Sequence, residues 1–179
     1  MSVTPTSKYI TKLTELQHKL PKSVQTLIWS TPTSITNEAF RGEILYPANC
    51  FHSENHRRVF TWIPHGAPDI KDPWVFETFD KGLTFSIKNK IANEYLYPDT
   101  LLRDLKRRNV FIWGKKILEP IFFWNVEIVG NDKVRLKSSV YKEYFYAENR
   151  TLAFDSERRS VFTGVAEFAC DERCNWILD

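Results

Sequence analysis

The charged residues that recur along this 179-residue chain are the first candidates for chemistry. An arginine pair occurs three times, at 57–58, 107–108 and 158–159. Arginine binds phosphate, sulfate and carboxylate groups through its planar guanidinium fork, so three such pairs could form a set of anion contacts. If the pairs lie in turns beside acids such as Asp104 and Asp155, they have a structural role instead. Because the pairs recur in every copy, we favour the structural role.

Three glutamates, Glu43, Glu94 and Glu143, recur in the same way. General acid–base catalysis requires groups that converge on one substrate, whereas symmetric copies hold these residues apart. We therefore expect the glutamates to accept hydrogen bonds from turn backbone or from an arginine. The sequence has no Ser-His-Asp order, no glycine-rich phosphate loop and no nucleotide fingerprint. These observations predict a protein that is not an enzyme and needs no cofactor.

A cluster of possible metal ligands lies between Cys50 and His56. A structural zinc site requires four ligands and usually a second pair at short spacing, so Cys170 and Cys174 would have to come from the far end of the chain. We predict no metal site. Cys170 and Cys174 could form a disulfide with each other, or one of them with Cys50, and three free thiols are equally compatible with the sequence.

The segments that carry these residues repeat with a period of about 51 residues. Val59, Val110 and Val161 are spaced by that interval, and a fixed period indicates that one supersecondary unit was copied. A tyrosine-rich motif and a closing tryptophan recur in each copy, at 43–47, 94–98 and 143–147 and at Trp74, Trp124 and Trp176. Alternating apolar residues predict four short strands per copy, at about 83–89, 94–98, 110–114 and 123–129 in the middle one. A charged turn is expected at 155–159.

Few folds are compatible with three repeated units of four strands each. A propeller has about four or more blades, and an open solenoid needs polar caps at both ends. A barrel with threefold symmetry and hairpin caps, the β-trefoil, accommodates all twelve strands. The sequence thus predicts an all-β trefoil over 33–179, with lobes at about 33–80, 81–130 and 131–179.

Residues 1–32 are predicted to form a short α-helical extension packed on the trefoil. Tyr9, Leu13, Leu16 and Leu20 fall on one helical face. Pro21 would end this helix, since proline disfavours the helical conformation of the residue before it.

The Tyr-Leu-Tyr strand, the Arg-Arg pair and the closing tryptophan resemble those of trefoil domains in secreted insect proteins. These include the trefoil half of the silkworm haemolymph 30-kDa lipoproteins, which also has helices before the trefoil. The resemblance implies a secreted binding protein. The Gln-x-Trp signature of ricin-type lectins does not recur, and the signature of plant Kunitz-type inhibitors is absent, so neither family's site can be transferred.

Charge is distributed unevenly along the chain. The net charge is +3, but 81–116 contains nine basic and three acidic residues. The aromatic residues in this span fall at repeat positions, which favours a core role over nucleic-acid stacking. We predict that this lobe binds an anionic or sugar-bearing ligand through six residues: Lys88, Lys90, Arg103, Lys106, Arg107 and Arg108.

The predicted function is therefore that of a monomeric, secreted binding protein that recognises a carbohydrate, an anionic ligand or another protein through its loops. One alternative is a protease inhibitor that uses the proline-containing loop at 63–73. Another is a cytoplasmic scaffold like the actin-bundling trefoils. No apolar run is long enough to span a membrane, and Met1 is not followed by a signal-like apolar segment, so a secreted form would require a leader that has been removed.

Overall fold

The computed structural model describes residues 32–64, 73–78, 84–114, 119–129, 133–169 and 171–178. The predicted fold class must be corrected, because the described residues form an all-β trefoil-like fold and include no helical extension. The spacing of apolar residues before Pro21 reports only a local preference, and those residues lie outside the described chain. The one α-helix among the described residues is a single turn, α1, near the C-terminus. No described helix is long and apolar enough to cross a membrane.

Twelve strands make up the described fold, and four of them match the strands predicted for the middle copy except that the third begins earlier. Their bounds are β1 Ile35–Asn37, β2 Ile44–Ser53, β3 His56–Trp62, β4 Trp74–Thr78, β5 Thr84–Asn89, β6 Glu94–Pro98, β7 Arg107–Trp113, β8 Phe123–Ile128, β9 Lys133–Ser138, β10 Tyr144–Leu152, β11 Asp155–Gly164 and β12 Trp176–Leu178. Helix α1 spans Ala166–Ala169, and 3-10 turns span Pro120–Phe122 and Glu172–Cys174.

Six strands form a closed antiparallel barrel. The pairing runs β1–β12–β9–β8–β5–β4. A bridge between Thr33 and Trp74 completes the ring, in which each backbone N–H donates to the other residue's carbonyl at 2.9 Å. The six described strands therefore close into a ring through this bridge.

The other six strands form three hairpins: β2–β3, β6–β7 and β10–β11. Their second strands, β3, β7 and β11, also pair with one another in a triangle. A six-stranded barrel with a triangular set of hairpins is the trefoil arrangement. We refer to residues 33–80, 81–130 and 131–179 as the first, second and third lobes.

The core explains why the tryptophans and valines recur. All three barrel tryptophans are fully buried, and the three valines lie in the same cluster at 3% exposure. Each buried indole N–H donates to a backbone carbonyl at 2.9–3.0 Å: Trp74 to Leu45, Trp124 to Leu96 and Trp176 to Phe145. A large apolar ring is thus buried without leaving its one polar atom unpaired.

Candidate binding site between the second and third lobes

One arginine of each pair stabilises the fold. Each of these arginines binds a glutamate of the following lobe, so the three pairs form a closed ring: Arg57–Glu94 at 2.8 Å, Arg108–Glu143 at 3.2 Å and Arg159–Glu43 at 2.8 Å. Glu43 and Glu143 are buried and also accept a hydrogen bond of 2.6 Å from a threonine hydroxyl. The prediction that the glutamates accept from arginine is confirmed.

The expected placement of the arginine pairs was wrong in two respects. They lie in β3, β7 and β11 and not in turns, and 155–159 is the start of β11. The pair in the first lobe is also shifted by one residue, because Arg57 is the equivalent of Arg108 and Arg159. Arg58 therefore corresponds to Asn109 and Ser160. Alignment of the Arg-Arg pairs by residue identity hid this shift. The glutamate partner of each arginine reveals it.

The residue before each ring arginine faces a tryptophan at two of the three junctions between lobes and a glycine at the third. Arg158 lies opposite Trp62 in the pairing of β11 with β3. His56 packs against Trp113, with ring centroids 5.6 Å apart. At the third junction, Arg107 lies opposite Gly164. The third lobe thus has a glycine where the first two have a tryptophan.

Without an indole at position 164, the Tyr146 ring lies close to the backbone of Gly164. In the first lobe the ring centroids of the equivalent Tyr46 and Trp62 are 5.7 Å apart. In the second lobe those of Tyr97 and Trp113 are 6.4 Å apart. A Cβ atom on Gly164 would lie 3.3 Å from Cε1 of Tyr146 and 3.5 Å from the carbonyl of Lys106. Both residues line a cavity of about 460 Å³. We call it the junction cavity; its lining residues are Asp104, Leu105, Lys106, Arg107, Tyr146, Glu148 and Arg173.

Arg107 is the central charge of the junction cavity. It donates to Asp104 at 2.5 Å and to Glu148, and its guanidinium lies 4.8 Å from the ring centroid of Phe162. Burial alone would lower the pKa of Arg107, but hydrogen bonds to Asp104 and Tyr146 outweigh that effect and raise it. The hydrogen bond from Arg107 in turn lowers the pKa of Asp104. Both groups therefore stay charged at neutral pH.

The lining offers donors, acceptors and apolar surface together. Asp104 and Glu148 present carboxylate oxygens, and Arg173 presents a guanidinium that is 2.8 Å from Asp171 and 5.6 Å from the Tyr146 ring. Leu105 adds an almost fully exposed side chain. This combination can bind a ligand that both donates and accepts hydrogen bonds and has an apolar face.

The structure divides the six residues predicted to bind a ligand. Lys106 and Arg107 line the junction cavity, whereas Arg108 belongs to the structural ring. Arg103 lies 4.7 Å from the Phe162 ring centroid and lines a different cavity. Lys88 lies on β5, 5.1 Å from the ring of Tyr95, and Lys90 follows that strand. The local charge count overestimated the free positive charge, because Arg107 and Arg108 have carboxylate partners.

Three residues of the third lobe, Tyr146, Glu148 and Arg173, were missed. The sequence contained one signal for them: Gly164 stands in the third lobe at the position of Trp62 in the first lobe and Trp113 in the second. That signal marks the lobe but not the lining residues, because the latter come together only through the pairing of β11 with β7.

The structure also locates several of the possible metal ligands and cysteines that the sequence singled out. Among the described residues, no three His, Cys, Asp or Glu side chains are grouped to hold a metal ion. His52 stacks on Phe111 with centroids 5.1 Å apart. Cys50 is an exposed free thiol, and the buried Cys174 has its Sγ 3.1 Å from the carbonyl of Asp171. Cys170 and most of the proposed inhibitory loop, 65–72, lie outside the described residues.

No protein-family model matches the chain, and no curated protein matches its sequence. The predicted resemblance to insect haemolymph lipoproteins thus has no support beyond the fold. A salivary protein of Culex quinquefasciatus from the cysteine- and tryptophan-rich family is similar in structure, with a TM-score of 0.58 and 19% identity over 83% of this chain and 92% of its own.

Two further solved structures are similar. The SDF2-like protein of Arabidopsis thaliana has a TM-score of 0.65 and 13% identity, over 84% of this chain and 93% of its own. A lectin of Polyporus squamosus has a TM-score of 0.61 and 14% identity, over 83% of this chain and 48% of its own. At such identities the likeness shows the fold alone. The chain is a protein of the β-trefoil type.

Proposed function

We propose that this protein is a non-enzymatic, secreted binding protein that binds a carbohydrate bearing an anionic group in the junction cavity. The observation that carries the proposal is Gly164, which lies against two lining residues of this cavity, Lys106 and Tyr146, where the other lobes have a tryptophan. Its volume of about 460 Å³ lies in the range of roughly 300–1,000 Å³ found for small-molecule sites. The Culex salivary proteins, which have the same fold, support a secreted location.

The lining chemistry favours a sugar. Sugar hydroxyls both donate and accept hydrogen bonds, so they suit a site with the carboxylates of Asp104 and Glu148 and the guanidinium of Arg173. The cationic groups suit an anionic substituent because charge-assisted hydrogen bonds are the stronger kind. A lectin with the same fold was solved bound to a sialylated epitope, which supports a carbohydrate ligand.

The same residues argue for binding without catalysis. Hydrolysis of a glycosidic bond uses two carboxyl groups, one of which is kept protonated by a raised pKa. Here Arg107 bonds to both Asp104 and Glu148, and the pKa of Asp104 is lowered. A carboxylate held charged by an arginine is a poor general acid.

The experiment is a glycan array with the full chain, followed by titration of the strongest binder by calorimetry. Gly164→Trp places in the third lobe the residue that the first two lobes have, and it should weaken binding at least tenfold, which is about 1.4 kcal/mol. Gly114→Trp is the matched control, because a Cβ there makes only an ordinary contact of 3.6 Å with Glu94. Arg173→Gln should also weaken binding without filling the cavity. Unchanged affinity in both Gly164→Trp and Arg173→Gln, or no glycan bound, would refute the proposal.

A further inference from the structure

A second cavity, of about 280 Å³, lies where β3, β7 and β11 meet, and we call it the axial cavity. Its floor is apolar and symmetric, because equivalent residues of the three lobes form it. They are Val59, Val110 and Val161 with Phe60, Phe111 and Phe162, and all six are buried. Its polar lining is not symmetric and consists of His52, Arg58, Arg103, Asn109 and Ser160.

The described polar lining has positive charge and includes no carboxylate. The ring arginines each have a glutamate partner, but Arg58 forms no side-chain hydrogen bond or ion pair within the described part of the chain. Arg103 donates from Nη1 to Oδ1 of Asn109 at 3.3 Å and has no carboxylate partner among the described residues. Two arginines therefore border one concave site, and no acid among the described residues neutralises them.

The backbones of both arginines are held by hydrogen-bonded pairing, and the side chain of Arg103 also packs on an aromatic ring. The guanidinium of Arg103 lies 4.7 Å from the ring centroid of Phe162, and its backbone N–H donates to the carbonyl of Arg107 at 2.8 Å. Arg58 is held in β3 by pairing with Phe111 of β7. A cleft that is lined by one sign of charge over apolar walls concentrates ions of the opposite sign.

We propose that the axial cavity binds a phosphate or sulfate monoester, with the oxyanion at Arg58 and Arg103. The planar guanidinium fork matches the geometry of such oxyanions. Asn109 and Ser160 occupy the positions equivalent to Arg58 and add neutral hydrogen-bonding groups. The six apolar side chains of the floor suit the organic part of an ester better than a bare ion. This site is separate from the junction cavity, and the two share no lining residue among those that the structure describes.

Two sources could supply this chemistry: a free sulfated or phosphorylated sugar, or the headgroup of a phospholipid. Residues within two positions of His52 and Arg103 expose apolar side chains, with Phe51 at 49%, Leu101 at 72% and Leu102 at 51% exposure. Such side chains beside a cationic site are compatible with a lipid surface. The test therefore includes both sources.

The first arm uses phenyl phosphate with the full chain, measured by calorimetry and by the shift in melting temperature. Arg58→Gln and Arg103→Gln should each weaken binding about tenfold, as expected when a hydrogen bond to a charged group is lost. Arg41→Gln, an exposed arginine in the turn before β2, is the control with the same charge change and should bind normally. No binding, or equal binding by the Arg58→Gln/Arg103→Gln double variant, would overturn the proposal.

The second arm compares a sulfated heparin disaccharide with phosphatidylcholine vesicles that contain a phosphatidylinositol phosphate. If either probe binds and the double variant loses it, the oxyanion site is supported and its source is identified. Binding of both probes that survives in the double variant would contradict the proposal. Gly164→Trp should leave phenyl phosphate binding unchanged, so failure at one cavity is distinguishable from failure at the other.

Discussion

The Arg159–Glu43 pair offers the sharpest test of the ring of ion pairs. Glu43 has a side-chain exposure of only 5%, and Arg159 of 17%. Removal of one partner from a buried pair costs about 3–5 kcal/mol, because the remaining charge is left in the interior. In Arg159→Ala, Glu43 keeps its 2.6 Å hydrogen bond from Thr61, so we expect the lower end of that range. Arg159 also lies 3.8 Å from the Phe40 ring centroid, and that contact would be lost as well.

The measurement is urea unfolding of Arg159→Ala followed by tryptophan fluorescence, since the buried indoles report on the core. The free energy of unfolding should fall by about 3 kcal/mol. In a thermal melt of a chain of this size, the same loss corresponds to a fall in melting temperature of roughly 6–12 °C. The neighbouring variant Arg158→Ala is the control, because the Arg158–Asp155 pair has exposures of 42% and 32%. An exposed pair contributes about 0.2–1 kcal/mol. If Arg159→Ala lost no more stability than Arg158→Ala, the structural role of the ring would be refuted.

Two further predictions follow from the tyrosines and from Asp171. The buried hydroxyl of Tyr97 has no hydrogen-bond partner among the described residues, so Tyr97→Phe should keep the stability of the protein or raise it by up to about 1 kcal/mol. Tyr146→Phe should lose about 1 kcal/mol of stability, because it removes the hydrogen bond between Tyr146 and Arg107. Equal urea midpoints for the two variants would contradict this prediction. Hydrogen bonds from Arg173 hold the pKa of Asp171 below its usual 3.8, so the folded state gains stability above that pH and loses it as the pH falls. Asp171→Asn should therefore flatten the dependence of melting temperature on pH below about pH 4, and an unchanged slope would contradict the assignment.

The trefoil-type fold was predictable because its markers are core residues. Val59, Val110 and Val161 are buried in one cluster, and the tryptophans fill the same core. Burial restricts which residues a position accepts, so the period stays visible in the sequence. The predicted helical extension had to be corrected, and it had rested on local spacing with no long-range marker.

The junction cavity was harder to predict for a physical reason. Its lining combines 104–107 with Tyr146, Glu148 and Arg173, and only the antiparallel pairing of β7 with β11 brings them together. A count of charges along the chain cannot detect that Arg107 and Arg108 are neutralised by glutamates of another lobe. Gly164 could be recognised only as a departure from the positions of Trp62 and Trp113.

The ring of ion pairs also bears on the order in which the chain folds during synthesis on the ribosome. Two of its pairs join residues 37 and 35 positions apart, but the Arg159–Glu43 pair joins residues 116 positions apart. Contacts of long sequence separation form late and slow folding, because the intervening chain must be ordered first. Glu43 leaves the ribosome well before Arg159 is made, so the first lobe holds a carboxylate without its arginine until the third lobe has emerged. The nascent trefoil thus depends on its third lobe to complete the ion pair of its first.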